Sequence, residues 1–356
     1  MKKSIIVIAV AAIAIALIYA QRATVASRIL ERGLETRMGA DIVDTLEDGL
    51  HIALCGAGGP MPAPKASGPC IVIVAGKKLF MVDAGTEGIR NMARMGYQAG
   101  NLQGVFLTHF HSDHIDGLGE VATIRWAGGG NKQPLPVYGA EGVERVTNGF
   151  NEAYAQDFTY RHEHHGDVVA ALSGAGLEPR AFKKPALGGL TTVYDDGELK
   201  VEALAVDHHP VEPAVGYKFS YKGRSLLVSG DTSKSDNITK FAQGVDVLAH
   251  EALAPNIVGM MQAAAESMGN KIMAKIAYDI PDYHASPVEA AETARDAGVG
   301  HLLYYHIVPP MIVPGQHALF LNGAEDIFPN YTIGEDGVSF SLPAGSTEII
   351  QTSRGL

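Results

Sequence analysis

The apolar run Gly104-Val-Phe-Leu107 passes directly into Thr-His-Phe-His-Ser-Asp-His-Ile-Asp-Gly over residues 108–117, which sets His109, His111, Asp113 and His114 within six positions. An isolated His is most often a hydrogen-bonded core or surface residue. The whole chain holds only 14 His, however, so chance is a poor account of such a cluster. Imidazole and carboxylate are the ligands of borderline divalent metals such as zinc. Alternate residues of an extended segment share a face, so His109 and His111 point together at one ion, while Asp113 and His114, further round the turn, reach toward a second. A chain carrying this turn needs a sheet whose rim presents polar groups, and the implied chemistry is metal-dependent hydrolysis.

The same pattern recurs. Asp207-His208-His209 follows the apolar strand ending at Val206, Gly230-Asp231-Thr232 follows the one ending at Ser229, His250-Glu251 follows Val245 to Ala249, and His306 follows His301 to Tyr305. Donor-type residues at the ends of successive apolar strands point to one rim of one sheet system. Strands, helices, strands and helices alternate without a long linker, which predicts a single layered domain over 22–356 with helices outside. Both halves open with strand-rich hairpins, as at Gly76-Lys-Lys78 and Lys222-Gly-Arg224, so a duplicated plan is expected. Residues 155–190 read as a less regular insert suited to a lid, with Tyr160, Arg161, His164 and His165 at the mouth of a pocket.

Together with Ser229-Gly-Asp-Thr232 and the late His306, the His109–His114 cluster resembles the metallo-β-lactamase superfamily, and in finer detail its ribonuclease Z and arylsulfatase-like branch. Supporting segments are Leu54-Cys-Gly-Ala-Gly-Gly-Pro60, Met81-Val-Asp-Ala-Gly85, Ala249-His-Glu-Ala252 and His284-Ala-Ser286, so the likeness runs from about residue 50 to 310. The resemblance implies an α/β fold, an αβ/βα four-layer sandwich of two mixed β-sheets packed face to face with helices outside. It implies two divalent metal ions, Zn2+ ahead of Mn2+ or Fe2+. One ion is assigned to His109, His111 and His208, with His209 as the alternative to His208. The other is assigned to Asp113, His114 and His306, with Asp231 bridging. Asp113 is the expected base, His284 and Glu251 the pair that delivers a proton to the leaving group, and Asp83 a structural aspartate. A homodimer is also in keeping with this branch.

Substrate and location are read from other features. The net charge of −11 argues against a general attraction to phosphate backbones. Met1-Lys-Lys3 followed by the apolar run Ile5 to Ala20 reads as a secretory signal or N-terminal anchor over 1–21. The expectation is therefore an exported hydrolase, periplasmic or held to the inner membrane by its N-terminus, acting on a small ester, lactone, sulfate or phosphodiester. Nucleic acid is not the expected substrate. The alternatives are tRNA 3′-end processing of the ribonuclease Z kind, or a non-catalytic metal-binding protein. Cys55 and Cys70 are too few for a disulfide framework, and either a pair or two thiols fits.

Overall fold

The computed structural model describes residues 18–356 together with residues 7, 11 and 15. The signal-like run at 1–21 therefore lies mostly outside the described residues. Among those described, no helix is long and apolar enough to cross a membrane.

Fifteen strands form two sheets. The first contains β1 (Gly49–Gly56), β2 (Cys70–Ala75), β3 (Lys78–Val82), β4 (Leu102–Phe106), β5 (Leu135–Ala140), β6 (Leu177–Phe182), β14 (Val338–Pro343) and β15 (Ile350–Ser353), in the order β15-β14-β1-β2-β3-β4-β5-β6. The second contains β7 (Leu190–Asp195), β8 (Leu199–Ala205), β9 (Val215–Tyr221), β10 (Arg224–Val228), β11 (Val247–Leu253), β12 (His301–Val308) and β13 (Tyr331–Ile333), in the order β13-β12-β11-β10-β9-β8-β7. Each half starts with antiparallel hairpins and continues in parallel: β1, β2 and β3 pair antiparallel before β4 to β6, and β7 to β10 pair antiparallel before β11 and β12.

Side-chain alternation along these strands produces the layering. Ile73, Phe80 and Phe106 point to one side of the first sheet and meet Tyr217, Phe219, Leu226 and Leu303 of the second in a core between the sheets. Their neighbours Val72, Met81 and Val105 point the other way, onto Ile89 and Met92 of the helix Gly88–Arg94 and Leu118 and Val121 of the helix Leu118–Gly129. Leu227, Leu248 and Leu302 do the same for the second sheet, packing on Ile238 and on Ala290, Ala291 and Ala294 of the helix Pro287–Ala297. Strands apolar on both faces in this way are the mark of a sheet covered on both sides. The architecture is an αβ/βα four-layer sandwich. Helices in the parallel crossovers leave the carboxyl ends of the strands free, and in open α/β sheets that edge carries the site.

The segment 155–190 is more regular than its sequence suggests. A helix runs Val143–Ala170 with a kink at Gly166, β6 and β7 follow, and the segment belongs to the outer layer and the sheet edges. Cys55 and Cys70 are bonded as a disulfide that joins β1 to the start of β2. The loop between them is tied down by Asp336, whose carboxylate accepts from the backbone N–H of Ala57 and Ser67 at 2.9 Å each and from Asn91 Nδ2 at 2.8 Å.

Candidate metal centre

Six strand ends supply the site. Asp83 follows β3, the cluster at 109–114 follows β4, His208 follows β8 and Asp231 follows β10. Glu251 and His306 lie within β11 and β12, which run further than their apolar sequence suggests. His306 is placed by an irregularity in pairing. Glu251 pairs with Tyr305 and Ala252 with Ile307, so His306 is an extra residue, with φ of 46°. A bulge of this kind re-aims one side chain, here toward the rim.

Seven side chains converge. His109, His111, His208 and Asp231 offer donor atoms lying within 4.8 Å of one another, and Asp113, His114 and His306 form an adjoining set of the same kind. Asp231 lies between the two sets: its Oδ2 stands 3.3 Å from His306 Nε2, 3.4 Å from His114 Nε2, 3.8 Å from His109 Nε2 and 3.9 Å from His208 Nε2. Asp113 Oδ2 is 3.3 Å from His306 Nε2. His209, the alternative to His208, is exposed and joins no such set.

The imidazoles are oriented from behind. Tyr283 O, 2.9 Å from His208 Nδ1, can only accept, so Nδ1 carries the proton and Nε2 presents its lone pair to the cluster. Asp83 Oδ2 does the same for His114 Nδ1 at 2.8 Å. The same oxygen accepts from Thr108 Oγ1 at 2.9 Å, which leaves Thr108 Oγ1 to accept from His109 Nδ1 at 3.1 Å. Close approach is needed on one flank, where a Cβ on Gly59 would lie 3.0 Å from His306 Cε1 and 2.9 Å from Val308 Cγ2.

These residues fit a pair of cations. His109 Nε2, His114 Nε2 and Asp231 Oδ1 are buried without a hydrogen-bond partner among the described residues, a costly arrangement unless something else is bound there. Burial holds His109 well below the ordinary imidazole value and lowers His208 and His111, favouring the neutral form that ligates metal. At His114 burial is outweighed by Asp231 and Asp83, which push it well above that value and show how strongly these carboxylates call for positive charge. Thiolates take no part, and the donor set of imidazole and carboxylate suits zinc, manganese or iron.

Beside the cluster, His284 Nδ1 lies 3.0 Å from Glu251 Oε1, which also accepts from the backbone N–H of Ala285 at 3.0 Å and of Thr232 at 3.2 Å. Burial opposes protonation of His284, but Glu251 prevails and pushes it up to about 9. His284 also falls within 4.8 Å donor reach of Asp231 and His306. The cavity over the cluster is walled by Met61, Ile276, Ile280 and Tyr283 rather than by residues 155–190. Of the residues placed at a pocket mouth from sequence, Arg161 lines a separate cleft with Arg90 and Glu120. Sequence reasoning missed these walls and the orienting roles of Thr108 and of the Tyr283 carbonyl. The spacing of Ile272, Ile276 and Ile280, one residue in four, was the available signal.

The family model described as the metallo-β-lactamase superfamily matches residues 63–297. The chain belongs to the metallo-β-lactamase superfamily. This member is 34% identical over 269 residues to ribonuclease Z of Mycobacterium bovis (strain BCG / Pasteur 1173P2), a match covering 75% of the chain and 89% of that protein. It is 30% identical over 289 residues to ribonuclease Z of Mycobacterium avium (strain 104), covering 81% and 96%. Among solved structures, human tRNase Z, short form, matches with a TM-score of 0.58 at 20% identity, over 82% of the chain and 99% of that protein, a likeness of fold. The superfamily member is accordingly a metal-dependent hydrolase of the ribonuclease Z-like branch, and its fold is one that works with divalent metal ions.

These relatives correct three expectations. An exported hydrolase of small esters, lactones or sulfates is not supported, because the curated relatives matched over most of both chains are ribonucleases by name. The same names overturn the expectation that nucleic acid is not a partner. Export or anchoring loses its support with them. The apolar run behind that expectation lies mostly outside the described residues, and no described helix is long and apolar enough to cross a membrane.

Proposed function

We propose that this superfamily member is a dinuclear endoribonuclease that cleaves a phosphodiester bond at the 3′ end of precursor tRNA. The observation that carries the proposal is the likeness to ribonuclease Z over 269 residues, in a chain whose Asp231 belongs to one donor set and stands 3.3 Å from His306 and 3.4 Å from His114 of the other. His109, His111 and His208 would hold one ion, Asp113, His114 and His306 the other, with Asp231 common to both; zinc is the favoured metal. A pair of divalent ions, when bound, lowers the pKa of water toward neutrality and stabilises charge on phosphoryl oxygens. Asp113 accepts the proton of the attacking water on its carboxylate. His284, held by Glu251, donates a proton to the leaving oxygen, which completes the division into base and acid.

The acidic balance of the chain is compatible with RNA. Asp113 and Asp231 carry two negative charges against the four positive ones that two divalent ions would bring, so the field at the phosphate would be set locally. The test is cleavage of a precursor tRNA carrying a 3′ trailer by protein loaded with zinc or manganese. A single cut at the trailer junction is expected, abolished by chelation. Protein with two equivalents of metal that leaves the precursor intact would overturn the proposal.

A further inference from the structure

The cavity over the donor cluster encloses about 270 Å³ and has two kinds of surface. Its floor is the polar set that includes His111, Asp113, Asp231 and His284, whereas Met61, Ile276, Ile280 and Tyr283 form an apolar wall. In a phosphodiester of RNA the charged phosphate belongs on the floor, and the groups that flank it are a sugar and a flat base. An aromatic ring set in an apolar wall is what an unpaired base binds, because every base has a π-face to stack. Tyr283 supplies that ring and is half-buried at the wall.

Its place is fixed by the chemistry beneath it. The Tyr283 carbonyl orients His208, and the next residue, His284, is tied to Glu251. The ring centroid lies 4.8 Å from that of His208 and 4.7 Å from that of His284. A base stacked on this ring therefore lies next to the phosphate over the cluster. Ile276 and Ile280, one helical turn apart, close the wall.

We infer that Tyr283 is the platform on which the unpaired base adjoining the scissile phosphate stacks, with Met61, Ile276 and Ile280 bounding its edge. This rests on the endoribonuclease reading above. Tyr283 is then a specificity-determining residue that restricts cleavage to single-stranded positions.

The test compares precursor tRNA with the same RNA made abasic on either side of the cleaved bond. Tyr283→Leu should raise KM about tenfold to a hundredfold on the natural RNA, the range for losing one base–aromatic stack. At one of the two abasic positions wild-type protein should suffer the same loss, and Tyr283→Leu should add almost nothing to it. Tyr283→Phe, which keeps the ring, should restore the KM, and both variants should retain two metal equivalents because the backbone carbonyl at 283 remains. Equal losses for Tyr283→Leu on natural and both abasic RNAs, or no loss on any, would overturn the platform while leaving the endoribonuclease reading standing. Wild-type protein that cuts no RNA overturns both.

Discussion

Asp83→Asn isolates the orienting hydrogen bonds from the ligands themselves. Asp83 sits at φ of 55°, a conformation Asn tolerates well, so the backbone should persist. Its Oδ1 accepts from the Thr108 backbone N–H at 2.8 Å; its Oδ2 accepts from Thr108 Oγ1 at 2.9 Å and from His114 Nδ1 at 2.8 Å. Asn has one acceptor where Asp has two, and both of its orientations fail. With the amide nitrogen toward the Thr108 N–H, two buried donors face each other, at about 1–3 kcal/mol of stability. With the nitrogen toward His114, Nδ1 must accept, the proton moves to Nε2, and the lone pair that faces Asp231 and the cluster is lost. The Thr108 hydroxyl then turns toward His109 and reverses that tautomer too. Loss of such an orienting partner weakens metal binding about tenfold to a hundredfold, or about 1.4–2.8 kcal/mol. Competition against a chelator gives the affinity, and thermal unfolding of the metal-free protein gives the stability. At least one must fall by these amounts; a variant matching wild type in both would refute the orienting role of Asp83.

Three further outcomes are expected. Asp231→Ala removes a carboxylate that belongs to one donor set and stands 3.3 Å from His306 and 3.4 Å from His114 of the other, so elemental analysis should find at most one equivalent of metal, and cleavage should be lost. His284→Ala should keep two equivalents and slow turnover by roughly 10² to 10⁴-fold, the usual range for a general acid; loss of a metal would make His284 a ligand instead, which its reach to Asp231 and His306 allows. His51 is buried between Glu47 O at 2.9 Å and Ser341 Oγ at 3.0 Å, and burial, partly offset by the Glu47 carbonyl, lowers its pKa. Its folded pKa is below the unfolded one, so its contribution is fully present above about pH 6.5 and is lost as pH falls through the folded value. Melting temperatures should accordingly drop less for His51→Gln than for wild type on acidification from about pH 7 to about pH 5, and equal drops would assign the acid sensitivity to other groups.

What the sequence reveals about this molecule depends on how local the physics is. His109 to His114, His208 and Asp231 stand directly after apolar strands, and one chain segment contains both the strand and the donor, so the rim is legible. His306 is different. Leu302 and Tyr304 face the helices and Leu303 and Tyr305 face the other sheet, so alternation puts residue 307 between the sheets; instead Ile307 packs on the helix side. The bulge that reverses this parity exists only in the pairing with β11, which no single strand encodes. The helix Val143–Ala170 buries little beyond Val143, Thr147 and Ala170, so it leaves almost no apolar period to read past Tyr154. The errors about substrate share another cause. Net charge is a sum over the whole chain, whereas a substrate in the cavity meets only the groups at and beneath its floor, where two carboxylates and five imidazoles form donor sets able to hold cations. Such a floor selects an anion whatever the remaining surface carries. The acidic total therefore bears on the rate and salt dependence of encounter with an anionic substrate, and leaves the identity of that substrate to the site.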